Sequence, residues 1–191
     1  MGTETTVQPV NTPQEATQMT HKTQTDLDVW TDIIQSKLNG VGFHIKSMIA
    51  YLHHDMKGYA KMHEYHAREE FNVITHVMGD CVEYLGGAPM IDLTKIRMPE
   101  IKIHGNNLCE KTVHGLEIYE NWEDKTYSNL KEYKHHLHET GEYVDHLIKD
   151  VREEREFIHY LWKELEKHEY DEHYLKELDE MLYKYYEKKM G

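Results

Sequence analysis

Residues 86–106 read GGAPMIDLTKIRMPEIKIHGN. The Gly86-Gly87 pair followed by Ala88-Pro89 stops a helix, because glycine closes helix ends in the left-handed conformation and proline cannot continue the turn. Asn106-Asn107 then offers a side chain of the kind that opens a helix. Between these signals lies a connection with room for one short helix. It is too long for a tight turn between antiparallel neighbours and long enough to cross the length of a bundle.

Helical spacing runs on both sides of it. Upstream, Thr25 or Asp26 can cap a helix whose apolar stripe is Leu27, Trp30, Ile34, Leu38, Val41, Ile45, Met48 and Leu52, with Gly58 expected to end it. A second stripe follows at Met62, Phe71, Val73, Ile74, Val77, Met78, Val82 and Leu85. Downstream, Leu108, Val113, Leu116, Ile118, Trp122, Tyr127 and Leu130 predict a third helix to about His138, punctuated by Gly141. Val144, Leu147, Ile148, Val151, Phe157, Ile158, Leu161, Trp162 and Leu165 predict a fourth. A last helical segment starts near Tyr170. No strand alternation and no internal repeat interrupts this pattern. The expected fold is all-α: a four-helix bundle with one long crossover, which is the ferritin-like arrangement, plus an extra C-terminal helix. The division is a Thr-, Gln- and Pro-rich disordered tail over 1–25, the bundle over 26–168 and a helical tail over 169–191.

The formal charge of −13 disfavours binding to nucleic acid, which needs lysine and arginine against phosphate, and favours attraction of cations. No apolar run approaches a membrane span, and no positively charged start leads into an apolar block, so a cytoplasmic protein is expected. Cys81 and Cys109 make neither a disulfide framework nor a CxxC motif, and are expected as idle or buried thiols.

Di-metal centres in helical bundles use inward-facing glutamates and Glu-x-x-His pairs. Two such pairs occur, Glu132/His135 and Glu156/His159, which is what the abundance of the two residue types supplies by chance. Both are read as solvated helix faces. His135, His136 and His138 likewise read as helix-end surface, and the lysine- and tyrosine-rich C-terminus as a packed helix.

The words LHHDMKG (52–58), MHEYH (62–66) and DCVEYLGGAP (80–89) together resemble the Dps-type mini-ferritins, a branch of the ferritin-like superfamily. The resemblance covers residues 27–90 by motif and 107–165 by helix pattern. It implies a homo-oligomeric shell, a dodecamer, with iron sites shared across the two-fold subunit interface. It implies ferroxidase chemistry: Fe(II) is oxidised, with hydrogen peroxide, and ferric iron is stored, protecting against oxidative stress. Imidazole and carboxylate ligands suit iron in both oxidation states, and manganese and zinc as well. Carried residue by residue, the resemblance places metal ligands at His53, His63, His76 and Asp80. Four residues after His63 the family pattern has an acid, and here stands Ala67; His66 and Glu70, four apart on one helix face, can substitute. The spacing from His63 to Gly86-Gly87 is also two residues short of the pattern. Three readings follow: an iron-oxidising shell, a ferroxidase-deficient shell that binds DNA or another partner, or a metal-free helical bundle. In a shell without a working metal site, His53, His63 and His76 are ordinary interface histidines paired with acids such as Glu64 and Glu69; the metal-free bundle is monomeric.

Overall fold

The computed structural model describes the backbone of residues 13–138 and 141–191 and the side chains from Thr25 onward. Five α-helices follow in order: α1 Pro13–Leu52, α2 Lys57–Leu85, α3 Leu108–His136, α4 Gly141–Lys167 and α5 Glu172–Met190. One 3₁₀ turn, Leu93–Lys95, sits in the crossover, and there are no strands among the described residues. The architecture is the expected bundle.

Three boundaries differ from expectation. The tail expected over 1–25 lies outside the described residues up to residue 12, but from Pro13 the chain is helical. Proline is tolerated in a first turn, and Gln14, Glu15, Ala16 and Met19 favour helix. Gly58 does not end α1: that helix stops at Leu52, and Gly58 lies in the first turn of α2, where its N–H donates to Asp179 of α5. The stripe on α2 is buried as expected at Met62, Ile74 and Val77, but Phe71 and Val82 are exposed and Cys81 takes a buried place.

The stop and start signals act where the sequence places them. Gly86 caps α2 in the left-handed conformation at φ 66°. Asn107 caps α3, accepting from the Glu110 N–H at 2.8 Å. The crossover between them runs the length of α1. A Cβ at Gly87 would touch Leu27, the Arg97 N–H donates to Asn39 Oδ1 at 2.5 Å, and Gly42 lies against Arg97 and Met98. Ile103 and Tyr51 then close on Gly115 of α3. α1 packs antiparallel on α2, α3 on α4, and α5 lies along the first half of α2.

The core is two apolar clusters at opposite ends of the bundle. One gathers Trp30, Ile33, Ile34, Ile74, Val77, Leu130, Val144 and Val151. The other gathers Phe43, Tyr51, Met62, Leu116, Tyr119, Ile158, Leu161 and the α5 residues Leu175, Leu178 and Leu182. Each buried side chain of this size contributes about 1.5–3 kcal/mol. In every helix of the four, polar side chains occupy the buried face where one cluster gives way to the other: Lys37 and His44, His63 to Glu70, Glu123, and Glu154.

Candidate metal centre

The polar layer collects seven side chains from four helices. Lys37 and His44 stand seven residues apart on α1, two turns along one face. His63, His66 and Glu70 follow on α2, Glu123 comes from α3 and Glu154 from α4. His44 is 0 % exposed, His63 and Glu123 1 %, and Lys37 and Glu70 7 %. Burying so many polar groups is costly unless each finds a partner.

Most do. Lys37 Nζ lies 3.0 Å from Glu70 Oε1 and 2.9 Å from Oε2. Tyr119 donates its hydroxyl to Glu154 Oε2 at 2.7 Å, and His66 Nδ1 lies 3.4 Å from Glu154 Oε1. His44 and His63 face each other through their Nδ1 atoms at 3.0 Å. Three buried atoms of this layer have no partner, Nε2 of His44, Nε2 of His63 and Oε1 of Glu123, and Oε2 of Glu70 has only the Lys37 ammonium beside it. His44 and Glu123 are, with Glu154, the three residues that each bring a ligand atom within 4.8 Å of the others'.

Protonation states follow from burial. Desolvation, aided by the charges of His66 and Lys37, lowers the His44 pKa to about 3. Burial, with His44 and His66 beside it, also puts His63 well below its ordinary value. Both are neutral imidazoles at neutral pH, the form that ligates a metal. Burial raises Glu123 well above the carboxylate range, and Glu154 and Glu70 add to the shift. Burial opposes ionisation of Glu154 too, but His66, His44 and the Tyr119 hydroxyl hold it below its ordinary value. Lys37 loses by desolvation and gains more from Glu70, Glu154 and Glu123, so its pKa rises and it stays charged.

The Nδ1–Nδ1 contact has a chemical consequence. Of two neutral imidazoles meeting this way, one donates and the other accepts. When His44 donates, its Nε2 carries a lone pair and is free to ligate. A ligating histidine normally gives its other N–H to a second group that orients it. His63 is placed to be that group.

The donor set fits a transition metal. One imidazole nitrogen and two carboxylates suit iron, manganese or zinc. The unpaired His44 Nε2 and Glu123 Oε1 are the atoms such an ion would satisfy. A cavity of about 290 Å³ reaches the layer from solvent between α2, α4 and α5, with His66, Glu70 and Glu154 at its inner end and Glu69, Asp150 and Glu153 toward the rim.

Of the residues expected from sequence as ligands, His63, His66 and Glu70 lie in this layer. His53 is exposed just past the end of α1, His76 is exposed six residues beyond Glu70 on α2, and Asp80 is half-buried ten residues beyond it. The structure therefore divides that set. His44, Glu123, Glu154 and Lys37 were not singled out in the sequence. The two Glu-x-x-His pairs are on the surface, where His159 pairs with Glu120 at 3.0 Å. The inward acids instead read Glu70-x-x-Val73 and Glu154-x-x-Phe157.

No family model matches the chain, and no curated protein matches it by sequence. By structure it is similar to an engineered closed form of the Archaeoglobus fulgidus ferritin, with a TM-score of 0.66 and 13 % identity, over 87 % of this chain and 94 % of that one. At that identity the likeness shows the fold, a ferritin-like four-helix bundle.

Proposed function

We propose that the chain is an iron-handling protein of the ferritin type, with its centre inside the bundle at His44, Glu123 and Glu154. The observation that carries this reading is that His44, Glu123 and Glu154 each bring a ligand atom within 4.8 Å of the others', and that His44 Nε2 and Glu123 Oε1 are buried without a partner. Iron held there would supply one-electron chemistry between its ferrous and ferric states. The residues around it orient and tune the ligands. His63 takes the His44 Nδ1–H, Tyr119 holds Glu154 by one oxygen, and the acidic rim of the cavity raises the local concentration of cations.

The test is aerobic addition of Fe(II), with and without hydrogen peroxide, followed by the absorbance of ferric product. The intact chain is expected to oxidise Fe(II) faster than the His44→Ala/Glu123→Ala double variant. Equal rates would remove the reading.

A second reading concerns assembly. A Dps-type shell would complete further iron sites between subunits, using His53, His76 and Asp80. What supports it is that His53 and His76 are exposed, and that exposed apolar residues, Leu52 next to His53 and Phe71 on the same helix as His76, accompany them. Light scattering would find a particle of about twelve chains if this holds, and one or two chains if it does not. Among the described residues no helix is long and apolar enough to cross a membrane.

A further inference from the structure

We infer that the centre is built for a single divalent cation, and that the Lys37 ammonium stands in the polar layer where a second would be. This rests on the reading of His44, Glu123 and Glu154 as metal ligands. Bundles that hold two metals present a glutamate from each of two helices and a Glu-x-x-His pair from each of the other two. Here α1 brings no acid to the layer. It brings Lys37, whose side chain is 8 % exposed and whose Nζ lies within 3.0 Å of both oxygens of Glu70. Glu70 is thus engaged on both oxygens by an internal cation. Gly40, one turn along α1, leaves the space its carboxylate fills: a Cβ there would stand 3.2 Å from Glu70 Cδ and Oε1.

The second-metal ligands are missing on the same side. The positions that would complete Glu-x-x-His after Glu70 and Glu154 are Val73 and Phe157, and both line the cavity beside those acids. Neither can ligate.

Charge gives the same count. Once a bound cation has displaced the proton that burial keeps on Glu123, the carboxylates Glu70, Glu123 and Glu154 carry three negative charges, and Lys37 offsets one. One divalent cation neutralises the remaining two. A second would leave two surplus positive charges in a buried layer, and an uncompensated buried charge is strongly disfavoured. Asp150 sits at the exposed rim, where solvent screens it.

The experiment is Co(II) titration of the chelator-treated full chain, with metal per chain measured by mass spectrometry after desalting and ligation followed by the Co(II) absorption bands. One Co(II) per chain is expected, lost in His44→Ala/Glu123→Ala. Lys37→Glu restores an acid on α1 and is expected to double the stoichiometry. Lys37→Gln, the milder change, is expected to admit a second ion more weakly than the first. Circular dichroism checks that each variant is folded. Two Co(II) in the unaltered chain would overturn the single-cation inference and leave the proposed function standing. No Co(II), or binding indifferent to His44→Ala/Glu123→Ala, would overturn the proposed function and this inference with it. A stoichiometry of one in both Lys37 variants would overturn the role given to Lys37.

Discussion

Asp179, on α5, accepts the backbone N–H of Gly58 at 2.8 Å, and the same Oδ1 accepts that of Tyr59 at 3.0 Å. The first turn of α2 has orphan donors like any helix start, and Met56 at the cap position offers no side-chain bond. An acid from another helix supplies the cap, so α5 is fastened to the bundle by it. The contact is tight: a Cβ at Gly58 would run into the carbonyl oxygen and carbon of Asp179. Gly58→Ala is therefore expected to cost at the upper end of about 1–3 kcal/mol, since backbone must move to relieve it. Urea denaturation measures the loss, and hydrogen exchange should show α5 opening first.

The same aspartate makes stability depend on pH in a stated direction. Burial raises its pKa above the ordinary 3.8, outweighing the N–H donors of Gly58, Tyr59 and Lys57, and Asp55 adds to the rise. Tyr51 and Tyr59 also face it, neutral because burial raises both. An unfolded chain ionises Asp179 near pH 3.8, while the folded chain keeps the proton to higher pH. The stability from the protonated form is therefore fully present below pH 3.8 and is lost as pH rises through the folded value. Asp179→Asn keeps an Oδ1 acceptor and cannot ionise. The stability of the unaltered chain relative to Asp179→Asn should fall as pH rises from about 4. Urea midpoints across a pH series check this, and a flat or rising difference would refute it.

Lys37 and Glu70 predict non-additivity. Either one alone in the polar layer is a buried charge without its partner, which costs about 3–5 kcal/mol. Lys37→Met should therefore be strongly destabilising in metal-free protein. Adding Glu70→Met should recover much of the loss, because the stranded carboxylate goes too. A thermodynamic cycle from denaturation midpoints measures the coupling; losses that simply add would mean the pair is not coupled.

The fold was legible because helix ends and the crossover are written in local chemistry, at Gly86-Gly87, Pro89 and Asn107. The centre was not: on α4 the expected stripe is the buried face, yet Glu154 lies outside it. On α1 and α3 most of the expected apolar positions fall one residue off the buried face, although Trp30, Ile34, Leu116 and Leu130 are buried. On α1 the buried face runs Trp30, Ile33, Lys37, Gly40, His44, Ser47, Tyr51, whereas Leu52 is exposed and Leu38 and Val41 half-buried. On α3 it runs Leu116, Tyr119, Glu123, Thr126, Leu130. Counting only apolar residues slides the stripe past Lys37, His44 and Glu123, since these polar residues hold places on the inner face. Searching for Glu-x-x-His fails for a related reason: Val73 and Phe157 stand where the histidines would be. The resemblance to Dps-type proteins named His63, with His66 and Glu70 as substitutes for the acid missing at Ala67, but as part of a site between subunits rather than in the bundle interior.

His63→Phe should separate stability from metal binding. The ring is 1 % exposed and packs on Tyr51 with centroids 5.5 Å apart and on Tyr119 at 4.8 Å. Phenylalanine keeps that packing and removes a buried Nε2 that has no partner. It also strands the buried His44 Nδ1 that His63 had paired, so the two effects offset and metal-free stability should change little, against the usual loss on changing a buried residue. The same change takes away the partner of His44 Nδ1, so the His44 tautomer with a free Nε2 lone pair is no longer held in place. Loss of such an orienting partner lowers metal affinity by about 10–100-fold. Co(II) competition titration should thus show a clear loss in a variant whose urea midpoint stays near that of the unaltered chain. A variant that loses stability while keeping its Co(II) affinity would show that His63 is packing alone.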